Sequence, residues 1–117
     1  MPRFLLLLSP LRGGDHRPSA AEIQRRTMTY MDWVAAGVRT GVISSGARLL
    51  ERSTVVTRVD GVTTVSEPSR PADTPIGGYF IVEAENFASA VAIASGCPGA
   101  ESGSIEVREL DSISVLT

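Results

Sequence analysis

Two kinds of apolar pattern alternate along this chain. Phe4–Leu8 (FLLLL) and Tyr79–Val82 (YFIV) are unbroken apolar runs. A strand with one wet face alternates apolar and polar residues, so these runs predict strands covered on both faces. Between them Ile23, Thr27, Tyr30 or Met31, Val34 and Val38 recur at helical period and predict one buried stripe. Ser19 and Glu22 stand ahead of it at capping-box spacing, and Gly41 suits its C-terminal cap. A shorter helical pattern follows the second run, with Phe87, Ala90, Val91 and Ala94 apolar. Asn86 is placed to cap it, and Gly96 and Pro98 to end it.

The remaining segments complete an order. Val42 and Ile43 predict a short strand with an irregular exit at Gly46. Thr54–Val59 and Val62–Val65 are β-branched runs joined by Asp60-Gly61, a dipeptide suited to a tight hairpin because both turn positions need positive φ. The segment SEPSRPADTP holds three prolines and predicts a loop. Gly78–Ala84 is the next strand, GAESG a turn and Ser104–Leu110 the last strand. With the hairpin set aside, the plan is β-α-β-β-α-β, a ferredoxin-like α+β domain spanning 1–117. Two helices cover one face of such a sheet. FLLLL and YFIV place apolar side chains on the other face as well, and a soluble monomer rarely leaves such a patch bare. The expected partner is therefore a second copy, with the two sheets facing each other in a dimeric α+β barrel.

Composition narrows the function classes. The net charge of −2 and absence of a basic face argue against nucleic acid as a partner. All 11 basic residues are arginine, which excludes a Schiff-base lysine. The single cysteine, Cys97, allows no internal disulfide, so cytoplasm is the expected compartment. Phe4–Leu8 is too short for a signal peptide's apolar region, and no run approaches the roughly 18 residues of a membrane span. No membrane partner and no cofactor are expected.

The segments TYMDWVAAGVRTGVISSGARLLE, IGGYFIVEAENFASAVAIA and GSIEVREL resemble the YCII-related proteins, and within them the DGPF-domain branch. The resemblance runs from Phe4 to about Leu110 and implies a ferredoxin-like subunit that dimerises through its sheet. The branch is named for a segment like DGPFAETKEQIGG, where this chain reads SEPSRPADTPIGG. Of Ser66, Glu67, Pro68 and Ser69, only Pro68 matches the DGPF signature. Related YCII proteins have been proposed to use a His–Asp pair with the histidine early in the first helix. That position falls near Thr29 or Tyr30 in this chain, so the pair does not transfer.

The candidate chemistry is sparse. His16, the only histidine, lies beside Asp15 in the loop after the first strand. A histidine oriented by a carboxylate can act as a general base, but a solvated loop pair is the bland alternative. One histidine with scattered acids lacks metal-ligand spacing. Tyr30 and Trp33 share a helix face and either line a pocket between helix and sheet or simply pack the core. Glu106 and Arg108 alternate with Ile105 and Val107 on the last strand, so they share the face away from the helices. Arg108 there meets an anionic ligand or an acidic partner such as Glu83. Cys97, near a helix C-terminus, is expected to be inert. The candidate ligand residues are Arg108, Glu106, Tyr30 and His16. Three function classes follow: a binder of a small anionic molecule in a pocket between helices and sheet, a non-catalytic interaction module, or a weak cofactor-free enzyme. The resemblance ties the second to transcriptional regulation, since some DGPF proteins are encoded beside sigma factors. The third is analogy of fold.

Overall fold

The computed structural model describes residues 1–10, 19–50, 52–67 and 76–112. The elements are β1 (Arg3–Pro10), α1 (Ala20–Arg39), β2 (Ile43–Arg48), β3 (Val55–Val59), β4 (Val62–Ser66), β5 (Gly78–Glu83), α2 (Phe87–Gly96), α3 (Gly99–Ser102) and β6 (Gly103–Glu109). β2, β5, β1 and β6 form one antiparallel sheet in that order, and β3 and β4 form a separate ribbon. The fold is ferredoxin-like α+β with an added hairpin.

Local signals set the element ends. Ser19 Oγ accepts from the Glu22 N–H at 3.1 Å, and Asn86 Oδ1 accepts from the Ser89 N–H at 2.8 Å. Thr40 is the C-cap of α1, and Gly41 follows with φ 80°, where the left-handed region favours glycine. Asp60 and Gly61 have φ of 52° and 80°, the paired positive values of a tight hairpin turn.

Strand register sorts the two apolar runs onto two faces. Phe4 faces Val82 and Leu6 faces both Phe80 and Val107, while Leu5 faces Ile81 and Arg108. Phe4, Leu6, Ile43, Val82, Ala84, Ala90 and Ala94 are the buried core under the helices, with Phe80, Ile105 and Val107 packed on it. Leu5, Leu7, Tyr79 and Ile81 lie half-buried on the opposite, open face. The unbroken runs therefore reflect a sheet that is apolar on both sides.

Three expectations need correction. The stripe of α1 that meets the sheet is Tyr30, Trp33, Val34 and Gly37, while Ile23, Met31 and Val38 are more than half exposed. The helix turns this way because Gly37 has no Cβ: one built there would overlap the side chain of Ile43, so only glycine lets the axis come so close. Second, β2 does not exit at Gly46 but runs on to Arg48, with a register shift between Ile43 and Ser45. Gly46 is the seat of the Phe80 ring, which crowds the place a Cβ would take. Third, GAESG contains a single helical turn, α3, rather than a plain turn.

Candidate functional site

Two places bring chemistry-bearing residues together. The first lies on the helix side of the sheet. Tyr30 and Trp33, one turn apart on α1, meet Phe80 of β5, with ring centroids 6.0 and 5.4 Å from it. Tyr30 and Trp33 are themselves 6.4 Å apart. These rings fill the space between α1 and the sheet, and no polar or charged side chain is buried among the described residues. The Tyr30 side chain lies beside Cys97, which is buried just after α2. Gly99 lies beneath both Leu8 and the Tyr30 ring, where a Cβ would come within 3.1 Å of Leu8.

Burial, followed by the adjacent Cys97 sulfur, pushes the Tyr30 phenol up to about 12. Burial also raises the Cys97 thiol above its ordinary value, against the smaller opposing pull of the Gly99 backbone and the Tyr30 hydroxyl. Cys97 is thus held as a thiol, as its expected inertness requires. Sequence reading missed the Tyr30–Cys97 contact, because no local pattern links residues in separate elements.

The second place is the open face at β6. Glu106 and Arg108 project there beside Leu7 and Leu5, and Arg108 Nε lies 3.9 Å from Glu106 Oε2. Both side chains are well exposed, at 69% and 64%, so the pair is solvated in the single chain. Tyr30 and the Glu106–Arg108 pair occupy opposite sides of the sheet, so the structure does not bring the candidate ligand residues into one site. His16 and Asp15 lie outside the described residues. A separate open depression of about 700 Å³ is lined by residues including Arg3, Glu109 and Asp111, and by none of the candidates. Among the described residues no cluster of three or more His, Cys, Asp or Glu is placed to hold a metal ion. No helix among them is long and apolar enough to cross a membrane.

The sequence model of the YCII-related domain matches residues 15–114. The chain belongs to the YCII-related family. Among curated proteins none matches. A solved structure of similar fold is 5-chloro-2-hydroxyhydroquinone dehydrochlorinase from Burkholderia phenoliruptrix AC1100, in complex with 2,5-dihydroxybenzoquinone. It shares 18% identity at a TM-score of 0.51, over 93% of each chain, and at that identity the likeness shows the fold alone.

The raised phenol of this YCII-related chain has a pH consequence. Between the ordinary value of 10.0 and about 12, the folded chain keeps the Tyr30 proton that the unfolded chain has lost. Folded protein then binds more protons than unfolded, so Tyr30's contribution is complete below pH 10.0 and is lost as pH rises through about 12. The Tyr79→Phe variant leaves Tyr30 as the one tyrosine. Its phenolate absorbance at alkaline pH should appear with a midpoint well above 10.0, and only close to unfolding. A midpoint at or below 10.0 in folded protein contradicts the burial.

Proposed function

We propose that two copies of this chain pack their open sheet faces together and that the space between the sheets receives a small anionic molecule, with Arg108 as its cationic contact. The observation that carries the reading is the placement of Glu106 and Arg108 on the open face, beside the apolar patch of Leu5, Leu7, Tyr79 and Ile81. Covering that patch with a second copy removes water from Arg108 as well. A guanidinium out of water needs an anion, and Glu106 at 3.9 Å satisfies it only through a long contact. The similar fold of a dehydrochlorinase solved with 2,5-dihydroxybenzoquinone supports a small molecule as the ligand class. His16 belongs to the proposal as a secondary contact, while Tyr30, packed on Phe80 on the helix side of the sheet, lies away from the space between the sheets. On this reading the chain is an intracellular member of the DGPF branch with a diverged signature, acting as a binder.

A thermal-shift screen against small carboxylates and phosphates tests it. Wild type should gain stability with at least one anion, and Arg108→Met should lose that gain while His16→Ala keeps it. If Arg108→Met responds like wild type and His16→Ala does not, the site is the loop of Asp15 and His16. A second reading, a non-catalytic interaction module, is favoured by one observation: the Tyr30, Trp33 and Phe80 rings fill the space between helix and sheet. That reading predicts no anion response from any variant.

A further inference from the structure

The β3–β4 hairpin pairs its backbone but covers none of its side chains. Every residue of both strands is exposed. Val56, Val59, Val62 and Val65 are 63–67% exposed, and Val55 is exposed as well. The register pairs Val56 with Val65 on one face of the ribbon and Val59 with Val62 on the other, so neither face is the wet one. An isolated two-stranded ribbon is at best marginally stable in water. Val, Thr and Arg at these positions favour the strand, but only a covering surface repays the valines.

We infer that this hairpin is a dimerisation arm that lies across the rim of the second copy's open sheet face. The inference rests on the sheet-face dimer proposed above. Its first support is area. A standard interface takes about 800 Å² from each partner, of which roughly 450 Å² is apolar. An aliphatic side chain offers roughly 60–120 Å². Leu5, Leu7, Tyr79 and Ile81 are already half-buried, and together they offer on the order of 100–200 Å². Whichever face of the ribbon lies on the partner carries one of the two valine pairs, which offers roughly 100–200 Å² more and brings the apolar area to about 200–400 Å², the range of the smaller specific interfaces. Without the arm the sheet face falls well short.

The second support is where the arm starts. The Leu49 N–H donates to the Gly77 carbonyl at 2.9 Å, and the Gly77 N–H donates to the Leu8 carbonyl at 2.7 Å. The first bond continues the β2–β5 ladder and the second the β1–β5 ladder past Gly78, so Leu49 and Gly77, the ends from which the chain goes to and returns from the arm, stand at the rim of the sheet. A second copy stacked on the open face lies next to that rim, and two-fold symmetry places both arms equivalently. A second copy thus covers patch and arm at once.

Sedimentation of wild type, of a Val56→Thr, Val59→Thr, Val62→Thr and Val65→Thr variant, and of Ile81→Asp tests the arm. The threonines keep the β-branched shape, so the ribbon is retained while its apolar cover is lost. Wild type should be a dimer, and the threonine variant should dissociate at least tenfold more readily with unchanged circular dichroism. Equal dissociation constants for wild type and the threonine variant overturn the arm and leave the sheet-face dimer standing. A dimeric Ile81→Asp overturns the sheet-face dimer itself, and a monomeric wild type overturns both. A spin label at Thr63→Cys in a Cys97→Ala background, mixed with isotope-labelled unmodified chain, gives a direct readout. Broadening of resonances in the isotope-labelled copy, centred on β1 and β5, is expected; its absence overturns the arm.

Discussion

Phe4→Ala should cost about 3–5 kcal/mol, the ordinary range for removing a fully buried phenylalanine ring. Phe4 has no exposed surface and stands on β1, an inner strand of the sheet, opposite Val82 of β5. Its ring also meets Phe87 of α2 edge to face, with centroids 6.0 Å apart at 68°. The neighbours that would have to collapse into the vacancy are held by a ladder on each side of β1, so little relaxation is available. Small domains have about 5–15 kcal/mol in total, so the variant keeps only part of its stability. Thermal unfolding followed by circular dichroism should show a fall of more than about 10 °C. Phe87→Ala supplies the comparison: Phe87 is 49% exposed, so the same truncation should lose much less. Equal losses at the two positions would mean that Phe4 is not the keystone of the layer between sheet and α2.

The parts of this architecture that were legible in the sequence are those decided within a few residues. Ser19 and Asn86 cap helices because a short side-chain oxygen reaches an N–H three residues on. Asp60-Gly61 turns because those two residues tolerate positive φ. The alternation of Ile105 and Val107 with Glu106 and Arg108 separates two faces because side chains alternate along a regularly paired strand. What failed was the rotation of α1. Its apolar residues surround more than one stripe, and periodicity ranks Ile23, Met31 and Val38 as highly as Tyr30 and Trp33. The choice is made by fit: Gly37 admits Ile43, and Phe80 receives the two rings. Gly46 misled for a related reason. A glycine within a strand signals either a break or a close approach, and only the Phe80 ring shows that it is the latter. The candidate site was legible as a pair of residues on a face, but not as a site. What lies opposite Arg108 is set by a partner and has no trace in local pattern.

Ile81→Asp and Val82→Asp, one residue apart on β5, should fail in different ways. Val82 points under the helices with no exposed surface, opposite Phe4. A carboxylate there has no counter-charge, since no polar or charged side chain among the described residues is buried. Stranding it costs several kcal/mol, comparable to the whole stability of a small domain, so Val82→Asp should not fold. Ile81 points to the open face, between Leu5 on β1 and Ser45 on β2. In a single chain that face meets water, so the aspartate is solvated and the fold survives. In the proposed dimer the same aspartate meets its symmetry mate's apolar patch, and burying both charges should raise the dissociation constant at least a hundredfold, the equivalent of about 2.8 kcal/mol. Circular dichroism and sedimentation together separate the cases. Val82→Asp should lose its secondary structure, while Ile81→Asp should keep it and sediment as a monomer at micromolar concentration, where wild type is a dimer. If Ile81→Asp sediments with wild type, the open face is not the interface. Arg108, which shares that face, then stays in water, and a solvated guanidinium has no need of a bound anion.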